Sequence, residues 1–162
     1  MQQTIYIARH AHALDEAPSD ALRPLSEKGH KQCARLVQGL RKTSLLSVSE
    51  VWHSGYLRAE QTASALANGL GLPLPHLQKD GLTPYDHPRS IAEKINQTHE
   101  NFLLAGHEPN LSHLASLLLS GRDDFQAVIF PKASILCLSR MKVGSQATPW
   151  QIEWHLNHKH YK

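Results

Sequence analysis

The sequence predicts an α/β layer fold with a mostly parallel central sheet. Short β-branched runs alternate with helix-patterned segments through the first two thirds of the chain. Three of those runs end on polar groups, at Arg9-His10, His53-Ser54 and His107. No repeat, low-complexity block or long linker interrupts the alternation, so the 162 residues read as one domain, 1–162.

The elements follow in order. Thr4-Ile5-Tyr6-Ile7-Ala8 is a buried first strand, and Arg9-His10 follows at once. Residues 11–22 are polar, carry Pro18, and read as a loop. A helix opens around Arg23-Pro24-Leu25-Ser26, with Ser26 as its cap and Cys33, Leu36, Val37 and Leu40 on its buried face. Residues 49–54 form a second strand. A helix over 57–70 follows, with Ala59, Ala63, Leu66 and Leu70 on one stripe, and Gly71 and Pro73 end it. Residues 81–88 are a turn-rich loop, 90–99 a helix candidate and 101–107 a third strand ending on a histidine. Pro109 opens a helix that buries Leu111, Leu114, Ala115 and Leu118 and stops at Gly121. Runs at 134–139 and 150–156 complete the sheet.

Composition excludes several classes. A net charge of +3 is mild, and no Lys/Arg run or basic aromatic stripe supports nucleic-acid binding. No apolar run is long enough for a bilayer, and the N-terminus lacks signal-peptide character, so a cytoplasmic protein without membrane contact is expected. Cys33 and Cys137 match no metal-pair spacing and read as buried free thiols. Among the 12 histidines, His158 and His160 are spaced to catch a metal ion, but a solvated polar tail is the simpler reading.

In open α/β sheets ligands bind beyond the carboxyl ends of the strands. If the three polar-ended strands are parallel neighbours, their ends share one pocket. A histidine after a strand serves equally as core residue, metal ligand, base or nucleophile. Arg9 beside it narrows the choice, because an arginine ending an apolar strand is costly unless it meets an anion or carboxylate. Arg58 falls in the first turn of a helix, where a cation opposes the macrodipole unless an anion joins it. His107 lies between a strand and a helix start. Two arginines beside two histidines repel a divalent cation and suit phosphate, so zinc is a distant alternative.

Arg9-His10, Leu25-Ser26-Glu27-Lys28-Gly29, Ser54 with Leu57-Arg58-Ala59-Glu60-Gln61-Thr62-Ala63, and Gly106-His107 together resemble the histidine phosphatase superfamily. Arg23-Pro24-Leu25, the 57–62 segment and Leu82-Thr83-Pro84 are most similar to its short SixA-type branch of phosphohistidine phosphatases. The resemblance runs from residue 4 to about 120. It implies a phosphoglycerate mutase-like three-layer sandwich with helices on both faces. The chain has no room for a large lid subdomain. The resemblance further implies that His10 is phosphorylated in turnover, that Arg9, Arg58 and His107 complete the phosphate pocket with His107 protonated, and that Arg23 is a further contact. Neither metal nor other cofactor is required, because the guanidinium groups supply positive charge. The implied partner is a histidine-containing phosphotransfer protein in signalling, met by a monomeric enzyme, with phosphate or another oxyanion in the pocket.

Two departures stand out. Ala11 replaces the glycine of the family's Arg-His-Gly motif. No convincing carboxylic acid stands where larger members protonate an alcohol leaving group. Asp80, Asp86 and Glu108 are candidate substitutes, each read first as a loop acid. An imidazole leaving group, with a conjugate-acid pKa of about 6.5, needs far less help than an alkoxide, which favours a phosphoramidate substrate. A small-molecule phosphomonoesterase on the same scaffold is the alternative, and a non-catalytic phosphate-binding regulator a more distant one.

Overall fold

In the computed structural model, which describes residues 1–43, 48–72 and 75–161, strand β1 (Gln2–Arg9) forms the centre of the sheet. Its alternation explains that position. Ile5 and Ile7 point to one face, Tyr6 and Ala8 to the other, and all four are buried. A strand apolar on both sides belongs inside a covered sheet.

β2 (Glu50–His53), β3 (His76–Gln78) and β4 (Phe102–Gly106) join β1 in the order β3-β2-β4-β1, all parallel. On the other side of β1, β5 (Ser134–Val143) runs antiparallel and carries the short β6 (Gln146–Ala147) and β7 (Gln151–Asn157). The sheet is therefore mixed. Its first half is the parallel array expected, and the two late runs complete it in antiparallel sense. β3 was not anticipated. Three residues with a histidine and a glutamine give no periodic signal, and β2 supplies the pairing that makes them a strand.

Helices cover both faces. α1 (Glu27–Leu40) and α2 (Leu57–Gly69) bury Leu36, Leu40, Ala63 and Leu66 against Tyr6, Val51, Leu103 and Ile135. α3 (Arg89–Gln97) and α4 (Asn110–Ser120) bury Ile91, Ile95, Leu111 and Leu114 against Ile5, Ile7, Phe102 and Leu136. This is the three-layer sandwich. No described helix is long and apolar enough to cross a membrane.

Ser26 caps α1 as the sequence predicts, its hydroxyl accepting from the Gly29 N–H at 3.0 Å. Gly121 ends α4 in the left-handed region, with φ of 77°. Pro73 lies outside the described residues. The polar tail is solvated at Lys159 and His160 as expected, but not throughout. His158 is buried, its N–H donates to the Ala133 carbonyl at 3.2 Å, and the Tyr161 ring lies against Gly39 of α1. These two residues pack because β7 delivers the tail onto α1, a long-range contact that local polarity does not reveal.

Candidate active site

Register sets the site. Arg9 pairs with Gly106 and His53 with Ala105, so the carboxyl ends of β1, β4 and β2 lie level and adjacent. Beyond them is a cavity of roughly 300 Å³ lined by Arg9, His10, Arg23, Arg58 and His107. All five residues selected from the sequence meet there. Asp20, Pro84, Tyr85, Glu108 and Lys132 complete the lining.

His10 is held in one tautomer. Its N–H donates to the Gly106 carbonyl at 3.0 Å, extending the β1–β4 ladder by one residue. Its ring Nδ1 lies 2.7 Å from the Ala11 carbonyl, which can only accept, so Nδ1 carries the proton. Nε2 keeps its lone pair, and Arg58 Nε–H points at it from 3.4 Å. Burial lowers the ring's pKa, the Ala11 bond offsets part of this, and Arg58 and Arg9 lower it further, to about 4. His10 is thus neutral near pH 7, with its free nitrogen facing the cavity wall of cations. Ala11 fits without a side chain in the pocket: it is fully buried beside Leu25, Cys33 and Ala133.

The arginines are oriented by backbone and by one carboxylate. Arg9 donates from Nη1 to the Phe130 carbonyl at 2.7 Å, while its buried Nε has no partner among the described residues. Burial lowers its pKa, against the opposing pull of Glu108. Arg58 is only 4% exposed and donates to the Asp20 carbonyl at 2.7 Å and carboxylate at 3.2 Å. Arg23 binds the other Asp20 oxygen at 3.1 Å and the Leu14 carbonyl at 2.8 Å. Its hydrogen bond to Arg23, reinforced by Arg58, holds Asp20 below the usual carboxylate range against some desolvation.

His107 sits 5.0 Å from the His10 ring, centroid to centroid. Its Nε2 is 2.6 Å from Ser54 Oγ, which also accepts the Tyr56 N–H at 3.2 Å. Nδ1 is buried with no partner among the described residues. Burial, then His10 and Arg58, push its pKa down to about 2. Against expectation, the ring is neutral in the protein alone. A phosphate dianion beside it is the kind of neighbour that raises such a pKa.

The candidate acids separate cleanly. Glu108 lines the cavity, but both its carboxylate oxygens accept from Ser112, one from the N–H at 2.9 Å and the other from the hydroxyl. Asp86 accepts the Thr83 N–H at 3.0 Å and lines a neighbouring groove rather than this cavity. Asp80 is exposed and outside the lining. Asp20, in a single 3-10 turn at Asp20–Leu22, is held ionised between two arginines. Among the described residues, no group of three or more His, Cys, Asp or Glu is placed to hold a metal ion.

Sequence reasoning missed Asp20, Ser54 as the partner of His107, and Lys132. Asp20 sits in a polar loop that gave no periodic signal, although a carboxylate three residues before Arg23 was visible. The motif residues around Arg58 prove to be scaffold. Thr62 accepts the Ala11 N–H at 3.1 Å and donates to the Arg58 carbonyl at 2.7 Å, and Gln61 accepts the Leu25 N–H at 2.7 Å. They tie α2 to the segment that carries His10.

Known proteins resemble this chain in sequence and fold. A family model described as histidine phosphatase superfamily (branch 1) matches residues 5–87. The phosphohistidine phosphatase SixA of Escherichia coli (strain K12) is 26% identical over 152 residues, covering 91% of this chain and 92% of the relative. A solved structure of the protein histidine phosphatase SixA complexed with tungstate superposes with a TM-score of 0.77 at 22% identity, over 98% of this chain and 99% of that one. A phosphoglycerate mutase from Bacillus anthracis str. Sterne gives 0.68 at 14% identity, over 94% and 92%. The two structural likenesses establish the fold. The family match spans β1 to β3 and takes in Arg9, His10, Arg23 and Arg58 of the cavity, and the chain belongs to the histidine phosphatase superfamily, branch 1, and is a phosphatase.

Proposed function

We propose that this enzyme dephosphorylates phosphohistidine on a protein, through a phosphohistidine formed on its own His10. The observation that carries the reading is a neutral nucleophile in a cavity whose carboxylates are already hydrogen-bonded, Asp20 to two arginines and Glu108 to Ser112. His10 Nε2 holds a lone pair at a pKa of about 4, and both Glu108 oxygens accept from Ser112.

In the first step His10 Nε2 attacks phosphorus in line, a new P–N bond forms, and the P–N bond to the substrate imidazole breaks. When the other nitrogen of that imidazole carries a proton, the ring leaves as neutral imidazole and needs no acid from the enzyme. Arg9, Arg58 and Arg23 neutralise charge on the non-bridging oxygens in a partly desolvated site. His107 lines the same cavity, with Nε2 held at Ser54 Oγ and Nδ1 buried without a partner among the described residues. Water then attacks the phosphorus of phospho-His10, releasing phosphate and restoring the neutral ring. The 26% identity to a phosphohistidine phosphatase along nearly the whole chain supports the substrate class.

The test compares a phosphohistidine-bearing phosphotransfer protein with sugar and nucleotide monophosphates under single turnover. Faster decay of the phosphoprotein, with acid-labile phosphate appearing on His10, is expected. Faster turnover of the esters selects the phosphomonoesterase instead, and failure to trap phosphate on His10 removes the covalent route.

A further inference from the structure

The segment between α4 and β5 places a lysine at the mouth of the cavity. Lys132 is exposed, yet it lines the same cavity as Arg9, His10 and Arg23. The backbone on either side of it is fastened to the nucleophile strand. Arg9 donates to the Phe130 carbonyl at 2.7 Å, and the Ala133 N–H donates to the His10 carbonyl at 3.2 Å. Ser134 Oγ closes the turn onto the Pro131 carbonyl at 2.7 Å. Ala133, fully buried, has a φ of 53°, the one positive φ among described non-glycine residues. A left-handed alanine is strained, and strain of this kind gathers at functional sites. Here it sits on the residue that follows Lys132.

The surroundings of Lys132 call for an anion. No described carboxylate lies within ion-pair distance of its ammonium. Burial and the nearby Arg9, Arg23 and Lys28 all work against its charge, and Asp15 is the one opposing acid. Burial, then Lys132 and Lys28, lower the pKa of His12, which disfavours its charged form. Asp15 is exposed at the rim and already engaged with Arg23 at 3.3 Å. Lys28 stands in the first turn of α1, where the macrodipole adds further positive potential. Arg9 and Arg58 flank His10 and meet the needs of a phosphoryl group, so the charge at Lys132 is surplus to it.

We infer that Lys132, at the mouth of the cavity, forms a subsite for a second anionic group of the substrate, a carboxylate carried beside the scissile phosphoryl group. On the phosphohistidine reading above, on which its protein source rests, that carboxylate is an Asp or Glu side chain flanking the phosphohistidine of the partner.

The test uses matched pairs differing by one charge: phosphohistidine peptides with Glu or Gln beside the phosphorylated residue, and phosphoglycerate against glycerol phosphate. Wild type is expected to favour the acidic peptide about fivefold in kcat/KM, chiefly through KM, with the preference shrinking as salt rises. Lys132→Ala brings that ratio toward unity, Lys132→Glu inverts it, and Lys132→Arg keeps it. Equal treatment of both peptides by wild type overturns the inference. So does a loss on Lys132→Ala that is the same for both, which would place the lysine on the phosphoryl group itself. If wild type turns over neither peptide, the phosphohistidine reading fails, and the ester pair decides the subsite separately. A Lys132-dependent preference for phosphoglycerate keeps it, and no preference removes it.

Discussion

At the scale of the residue, the proposed nucleophile His10 owes its reactivity to its neighbours. The Ala11 carbonyl selects the tautomer, and burial keeps the ring neutral. His10→Ala is expected to lower turnover by more than ~1000-fold, about 4 kcal/mol of barrier, while the variant unfolds as cooperatively as wild type. Retention of a tenth of the activity in a steady-state assay would remove His10 from the chemistry. Arg58 is placed to act on charge that develops in the transition state. Arg58→Ala should reduce kcat by about 100-fold, in the range seen when one such donor is lost. Arg58→Lys should recover little, because a point charge does not reproduce a fork that spans His10 and Asp20. A larger loss in KM than in kcat would assign Arg58 to ground-state binding instead.

At the scale of the element, the loop after β1 is laid directly over the first turn of α1. The His12 N–H donates to Gln32 Oε1 at 2.8 Å, and the Ser26 N–H donates to the His12 carbonyl at 3.0 Å. Gly29 makes that approach possible, since a Cβ there would stand 2.0 Å from the His12 carbonyl oxygen. Gly29→Ala should therefore destabilise the protein by about 2 kcal/mol through overpacking against backbone, read as a lowered urea midpoint. An unchanged midpoint would mean that the loop yields freely. The role of Leu25-Ser26-Glu27-Lys28-Gly29 is then structural: a cap and a gap that seat the segment holding His10.

For the whole molecule, the site carries a stability cost that depends on pH. His10 and His107 take up a proton less readily in the folded protein, at about 4 and about 2, than in the unfolded chain, at about 6.5. As pH falls below 6.5 the unfolded chain gains protons that the native state lacks, so stability falls with pH. The His10 share levels off below about 4, and the His107 share continues toward about 2. Urea unfolding at pH 7 and pH 4.5 should differ by a few kcal/mol from these rings, on the order of 1.4 kcal/mol per pH unit for each. His107→Gln, which keeps a partner for Ser54, should flatten the dependence. An unchanged slope would show that carboxylates elsewhere set it.

Much of this molecule was legible in the sequence because it rests on local signals. β1, β2, β4 and the four helices announced themselves by alternation, helical spacing, the Ser26 cap and the Gly121 stop. Arg9, His10, Arg58 and His107 stood at strand ends and a helix start, where a parallel sheet brings side chains together. Other features depend on contacts between distant parts of the chain. The three residues of β3 are a strand through their pairing with β2, and His158 of the tail is buried because β7 carries it to α1. Asp20 acquires its place between Arg23 and Arg58 only when its loop folds over the strand ends. The neutrality of His107 arises from burial, and Lys132 lines the cavity beside a strained backbone at Ala133. The sequence alone determined which residues could handle phosphate. Tertiary structure decided their protonation and which acids were already engaged, because both depend on desolvation and hydrogen-bond partners far away in the chain.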